Sequence, residues 1–365
     1  ASCLVGSEMC IRDSQRSDDE GESWDSLKVL SLFDEDEEND LDYTSILLQY
    51  RTDVAATGNY VHVAWVDYDS YNGGYDIYYT KSSNNGNTWT TPESVSTASS
   101  PGGVTIASSG SDVVIAWVDF GDVFHVSSSN NGDSWSSETE LESLSTNLNY
   151  MPEIIHNEGK FHVIWSNTAS GQSVQYTSSE DGFDWSDTVY INTGGKSGTS
   201  YTPVISADGP KLYAAWSDSG NYDGDSSSDY DIVGAVSDDN GETWQEDILF
   251  IDTSTSTTYY LPSLASGSGF TYLCYQNIVG GSYDYYFTFT QDDGASWSDS
   301  YKVTDFDDDS LSVKYHRMEV MVSDKTYFAF TEETDISGGD RVDDNIYVRK
   351  RSIVFRFLVA YTHIC

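Results

Sequence analysis

The sequence predicts an all-β protein built from repeated four-stranded sheets. Three observations carry that prediction: a composition rich in strand and turn formers, a turn motif that recurs six times, and an apolar run closing on an aromatic ahead of each of the later turns. The 365 residues include 29 Gly and 27 Tyr but only 4 Met and 6 Pro, with abundant Ser, Thr and Val, a mixture that favours strands and turns over helices. Aromatic residues make up 14% of the chain, far more buriable surface than a disordered acidic chain carries.

The turn motif reads Ser17-x-Asp19-x-Gly21-x-Ser23-Trp24 at its first occurrence. It returns at Ser82 to Trp89, Ser128 to Trp135 and Ser237 to Trp244, and more loosely at Ser178 to Trp185 and Thr290 to Trp297. At 178–185 the reading Ser178-x-Glu180-x-Gly182 replaces the central Asp. Asp or Asn can accept N–H groups across a tight turn, Gly takes the position of positive φ, the hydroxyls close the loop, and burial of the Trp anchors the hairpin. Successive starts lie 65, 46, 50, 59 and 53 residues apart, the length of one four-stranded propeller blade with variable loops.

The second element is a β-type run ending at Trp65, Trp117, Trp165, Trp216, Tyr275 or Phe330. Four Trp here and six in the turns account for all 10 in the chain. A third strand precedes each turn and a fourth follows it, which completes a blade. The last unit lacks a fourth strand and the first turn lacks inner strands, so the two ends are expected to join in a single blade and hide the sheet edges. Residues 14–351 are thus one domain. Residues 1–13 and 352–365, which hold three of the four Cys and none of the repeat, are expected to be non-native tails.

With six such turns in register, the chain resembles the sialidase-like Asp-box, or BNR-repeat, β-propeller family. The resemblance implies a six-bladed propeller of four-stranded antiparallel blades closed by its N- and C-terminal segments. It carries no single chemistry, because Asp boxes occur in sialidases, other glycosidases, sorting receptors and assembly factors alike.

Charge narrows the partners. Seventeen Lys and Arg against 60 Asp and Glu give a net charge of −43, a field that repels nucleic-acid backbones and anionic lipid. No apolar run is long enough to span a membrane, and the scattered cysteines suggest neither a disulfide framework nor a zinc site. An extracellular or cell-surface protein is expected, a monomer or a module of a longer chain.

The family resemblance places ligands on the face where inner strands begin. Fifteen residues before the second-strand aromatic stand Tyr50, Gly102, Tyr150, Tyr201, Tyr260 and Tyr315, and the next positions hold Arg51, His316 and Arg317. Tyr50, Arg51, Tyr150, Tyr201, Tyr260, His316 and Arg317 are therefore the expected ligand-binding set. Two residues after the aromatic come Asp67, Asp119, Asn167, Asp218, Asn277 and Glu332, either a second ring of ligands or residues that start turns.

Sialidases hold the substrate carboxylate with three arginines and use a Tyr and Glu pair as nucleophile with an Asp as acid/base. Here no arginine lies between Arg51 and Arg317, so the triad is incomplete. Asp53, Glu153 and Tyr315 are the catalytic candidates, with Tyr260 and Glu319 as alternatives for the nucleophile pair. No cofactor is required. Calcium is a further expectation, because the loop from Asp218 to Asp231 sets Asp223, Asp225 and Asp231 around glycine. The leading expectation is a glycan- or protein-binding module, and the alternative a glycoside hydrolase of the sialidase superfamily.

Overall fold

The structure, a computed structural model, describes residues 2–8, 11–17, 23, 25–26, 28–30, 52–69, 74–142, 149–167, 173–192, 200–220, 230–251, 258–279, 282–303, 311–312, 319–322, 326–334, 344–351 and 357–361. It divides into two compact units, Ala1–Trp165 with Tyr176–Val189, and Ser166–Gln175 with Tyr190–Cys365.

The first unit opens with a three-stranded sheet of β1 (Ser2–Glu8), β2 (Ile11–Ser17) and β3 (Lys28–Val29). Two four-stranded meanders follow. Blade 1 is β4 (Thr52–Thr57), β5 (Tyr60–Asp69), β6 (Gly74–Ser82) and β7 (Glu93–Ser94). Blade 2 is β8 (Pro101–Ser109), β9 (Asp112–Asp119), β10 (Asp122–Ser128) and β11 (Thr139–Glu142). The division between units runs through blade 3, whose strands are β12 (Asn149–Asn157), β13 (Lys160–Asn167), β14 (Ser173–Ser179) and β15 (Val189–Tyr190).

The second unit continues the pattern. Blade 4 is β16 (Ser200–Asp208), β17 (Lys211–Asp218), β18 (Asp231–Ser237) and β19 (Gln245–Ile251). Blade 5 is β20 (Thr258–Gly267), β21 (Phe270–Val279), β22 (Ser282–Thr290) and β23 (Tyr301–Lys302). In the last sheet β24 (Leu311–Ser312) and β25 (Glu319–Val322) both pair with β26 (Thr326–Thr334), followed by β27 (Asp344–Arg351) and β28 (Phe357–Tyr361). Every pairing with a resolved register is antiparallel, and the all-β, four-stranded organisation matches the sequence expectation.

Second strands β5, β9, β13, β17 and β21 explain why their sequence runs are apolar without alternation: each is covered on both faces. Trp65, Trp117, Trp165 and Trp216 are all 0% exposed. In the first unit, Ala64, Val66, Ile77 and Tyr79 of blade 1 pack on Val104, Ile106, Ile115 and Trp117 of blade 2. In the second, Val204, Ala215, Ile232 and Val236 of blade 4 pack on Leu264, Leu273 and Tyr275 of blade 5. Within each unit the core is a set of seams between consecutive blades.

The chain ends depart from the expectation. Segments set apart as tails form β1 and β28, and β28 supplies the fourth strand of the last sheet through Tyr347–Tyr361 to Arg351–Phe357 pairs. The strand after the first turn pairs with β2, not with β27. A strand close in sequence closes a short loop, which loses less chain entropy than joining the two ends of the molecule.

Candidate functional site

Each blade has two distinct ends. One carries the recurring hydroxyl–Asx–glycine turns, here called boxes, between third and fourth strands together with the hairpins between first and second strands. The other carries the entrances of the inner strands and the connections between second and third strands.

At the box end the motif forms a fixed hydrogen-bond set. In blade 1, Ser82 Oγ accepts the Gly86 N–H at 2.8 Å and donates to Asn84 Oδ1 at 2.9 Å, which in turn accepts the Thr88 N–H at 2.9 Å. The same three bonds recur for Ser128, Asn130, Gly132 and Ser134, for Ser237, Asp239, Gly241 and Thr243, and for Thr290, Asp292, Gly294 and Ser296. Positive φ extends beyond glycine to Asn85, Asn131, Asn240 and Asp293, which is why Asn or Asp precedes the glycine.

The box at 178–185 corrects its sequence alignment. Ser179 and Asp181 take the hydroxyl and carboxylate roles, with the Gly182 N–H on Ser179 and the Asp184 N–H on Asp181. Asp is retained, and the box is one residue shorter because the left-handed residue before glycine is missing. The motif Trp is half-buried in every described box, less than the anchoring expected of it.

Box turns are also where blades join. The Asn85, Asn131 and Asn240 N–H groups donate to Asn59, Ser111 and Pro210 carbonyls of their own blades. From the preceding sheet, Arg16 and Lys28 donate to the carbonyls of Asn85 and Gly86 at 3.1 and 2.7 Å. Lys81 of blade 1 donates to the Asn131 carbonyl of blade 2 at 2.7 Å, and Lys211 of blade 4 reaches Asp293 of blade 5, which also accepts from Tyr213 at 2.9 Å. Four of the 17 basic residues, Arg16, Lys28, Lys81 and Lys211, are used on these seams. Tyr79 packs edge-on against Trp135 at 4.8 Å, and His62 holds the Tyr79 hydroxyl at 2.7 Å. Burial lowers the His62 pKa to about 4, with Lys81 adding to the effect, and burial alone lowers His125 to about 4.

The entrance end differs from blade to blade. Inner strands β8, β16 and β20 each carry a bulge, between Gly102 and Thr105, Tyr201 and Val204, and Tyr260 and Ser263. The residue after the tyrosine position takes positive φ: 59° at Gly103, 48° at Thr202 and 54° at Leu261. At Gly103 a side chain would meet the Met151 Cα at 2.9 Å. Thr202 and Leu261 are buried left-handed residues, and for a β-branched Thr that conformation is strained. A bulge re-aims the side chains around it, so the bulge directs the tyrosine position. On two of these strands the sequence held a signal for it: Tyr201-x-Pro203 and Tyr260-x-Pro262 set a proline, which has no N–H to pair, at a break in the ladder.

Blade 4 gives the most detailed view. Tyr201 meets Tyr230 edge-on at 5.5 Å. Next to Tyr201 in the chain, Ser200 donates to Asp218 Oδ2 at 2.7 Å and accepts from Asn192 at 3.1 Å, while the Gly220 N–H donates to Asp218 Oδ1 at 2.7 Å. Asp218 and Asp231 are register partners across β17 and β18, 1% and 2% exposed. Two buried carboxylates thus face each other at the base of the loop that the sequence marks as acidic.

The other candidates are placed as follows. Asp53 joins two inner strands: Oδ2 accepts Thr105 Oγ1–H at 2.8 Å and Ile106 N–H at 2.9 Å, and Oδ1 accepts the Val54 N–H at 2.8 Å. Thr105 Oγ1 in turn accepts the Ile154 N–H of β12 at 3.2 Å. Position for position, Thr105 and Glu153 correspond to Asp53, and Glu153 is half-buried on β12. Asp67 accepts from Trp65 Nε1, Asp119 from the Ser99 and Ser100 N–H groups, and Asn167 bonds Gln175, so these residues fasten strand ends. Tyr150 and Tyr260 lie on strands β12 and β20. Tyr50, Arg51, Tyr315, His316, Arg317, Asp223 and Asp225 lie outside the described residues. Among the described residues no group of three or more His, Cys, Asp or Glu is arranged to hold a metal ion, and no helix is long and apolar enough to cross a membrane.

No protein-family model and no curated protein sequence matches the chain. Solved structures do resemble it. A polysaccharide lyase described as an ulvan lyase of family PL25 aligns with a TM-score of 0.61 at 12% identity, over 84% of this chain and 81% of that one. The α-L-arabinofuranosidase Arb93A of Fusarium graminearum gives 0.54 at 12% identity over 82% and 92%. An α-L-arabinanase of Penicillium chrysogenum, solved with arabinobiose, gives 0.52 at 14% identity over 82% and 93%. At such identities the likeness is one of fold, and the fold it shows is a β-propeller of four-stranded antiparallel blades.

Proposed function

We propose that this protein is a six-bladed propeller that binds glycans through the entrance end of its blades, as an extracellular or cell-surface module. What carries the reading is the bulge repeated on three inner strands, with a non-glycine left-handed residue at Thr202 and Leu261, and in blade 4 the contact of Tyr201 with Tyr230 next to the buried Ser200–Asp218 bond. Strained backbone beside amphipathic tyrosines is a feature of binding sites. Further support is the fold shared with proteins named for acting on polysaccharides and arabinose-containing sugars. Substituting Tyr201→Ala should weaken oligosaccharide binding about tenfold in calorimetry while leaving the Tm nearly unchanged, since Tyr201 is half-buried. Unchanged affinity counts against the site.

A glycoside hydrolase with an altered arginine triad is the second reading. The facing carboxylates of Asp218 and Asp231 favour it, because two neighbouring carboxyl groups are what such hydrolysis requires. Turnover of fluorogenic sialosides and arabinofuranosides that is lost in Arg317→Ala or Asp231→Asn would establish the enzyme over the binding module. Calcium held by Asp223, Asp225 and Asp231 belongs to the same proposal, and an unchanged Tm in excess chelator would remove it.

A further inference from the structure

We propose that Phe120 is an aromatic contact for the face of an uncharged sugar ring, so that the entrance end takes neutral rather than anionic glycans. The inference rests on the glycan-binding reading and narrows its ligand class. Phe120 and Gly121 are the two-residue connection between β9 and β10, closed by the register pair Asp119 and Asp122. Both residues are left-handed, with φ of 48° and 93°. Such a turn favours Asn-Gly, since an L side chain at positive φ crowds its own backbone. At the opposite end of the blades, the first residue of the comparable turns is Gly58, Gly110, Glu158, Gly209 or Ser268.

Phe120 recovers little by packing, being 64% exposed, the highest value among the described large hydrophobic residues. A bulky ring therefore sits where the backbone is strained and no core rewards it, and what it offers is an open π face at the ligand-side end of blade 2. The turn is held firmly: Asp119 accepts the N–H groups of Ser99 at 3.2 Å and Ser100 at 2.8 Å, fixing it beside the entrance of β8. Gly102, paired with Val118 just below the turn, occupies the position where the other five units carry tyrosine. Blade 2 thus replaces an inner tyrosine with an aromatic on the neighbouring connection.

The charge around that ring selects the ligand. The C–H face of a sugar stacks on an aromatic, and carboxylates accept its hydroxyls. Asp119 and Asp122 on either side, within a chain of net charge −43, repel uronates and sialic acids.

Calorimetry on wild type, Phe120→Asn and Tyr201→Ala with arabinobiose, cellotriose and galactotriose as neutral probes, and trigalacturonate and sialyllactose as anionic ones, tests the assignment. Wild type should bind a neutral probe in preference to either anionic one. Phe120→Asn should bind it roughly tenfold more weakly, yet melt about 2 °C higher because Asn tolerates the turn. Full affinity in Phe120→Asn beside a loss in Tyr201→Ala overturns the role of Phe120 and leaves glycan binding standing. Preference for an anionic probe overturns the ligand class. Wild type binding none of the five overturns this inference together with the glycan-binding reading.

Discussion

The box end and the entrance end of the same blades solve opposite problems. At the box end one arrangement is copied: a hydroxyl, an Asx side chain and a glycine make the same three bonds in four turns, and cations of the preceding sheet close onto three of them, at 82–89, 128–135 and 290–297. At the entrance end nothing is copied in full. Blade 4 pairs two tyrosines over buried carboxylates, blade 2 substitutes glycine and an exposed phenylalanine, and blade 1 uses Asp53 as a clasp. Repetition marks what holds neighbouring blades together, whereas the entrance end varies from blade to blade at structurally equivalent places.

That contrast is broken most sharply at the box glycines. A Cβ on Gly132 would lie 2.0 Å from the Tyr79 hydroxyl of the neighbouring blade, at φ of 72°. Gly132→Ala should therefore destabilise by about 3 kcal/mol. Gly58→Ala, at φ of 59° with nothing within 4 Å, should lose only about 1 kcal/mol. Urea unfolding of both variants measures the difference, and equal losses would mean that backbone conformation alone, not the seam, fixes the glycine.

Acid should act next, through the seam histidines. The unfolded chain binds protons on histidine near pH 6.5, while folded His62 and His125 do so only near 4. Stability is thus full above about pH 6.5 and declines as pH falls toward 4, by up to about 3 kcal/mol for each residue. Stability that stays flat between pH 7 and 4.5 in urea titrations would show that these rings are not held neutral. The smallest effect belongs to the box carboxylates. Hydrogen bonds, first from the Thr243 side chain and then from its backbone N–H, hold Asp239 below the usual carboxylate range. Asn84 and Asn130 fill the same place uncharged, so Asp239→Asn should change stability at pH 7 by less than about 0.5 kcal/mol. Its contribution is present above the unfolded carboxylate pKa and fades as pH falls through the lowered folded value, a decline that the variant should lack.

Legibility in the sequence follows the same division between ends. The boxes could be read because each turn is made by residues at most seven positions apart, and Ser82, Asn84, Gly86 and Thr88 need no other part of the chain to explain their spacing. The four strand tryptophans were equally legible, since a run apolar at consecutive positions has to be covered on both sides. Three features resisted. The box at 178–185 was misaligned by one residue because Ser178 and Ser179 offer the same hydroxyl and only the bond to the Gly182 N–H distinguishes them. Asp53 looked like a catalytic acid from its position, and its partners Thr105 and Ile106 lie about fifty residues away in sequence. Phe120 drew no notice, because a Phe-Gly pair in sequence does not declare a left-handed turn with its ring in water.

By itself the sequence determined the strand-and-turn alphabet of this protein, the period of its four-stranded units, the spacing of its recurring turn motif and its net charge of −43. These are local or additive properties, set by spacing along the chain and by summed charge. The tertiary structure decided where the basic residues are used, that the inner strands bulge at the tyrosine position, that Asp218 and Asp231 face one another in the interior, and that Phe120 is left outside. Each of these depends on which strand lies alongside which and in what register, and register is fixed only when the seams between blades close.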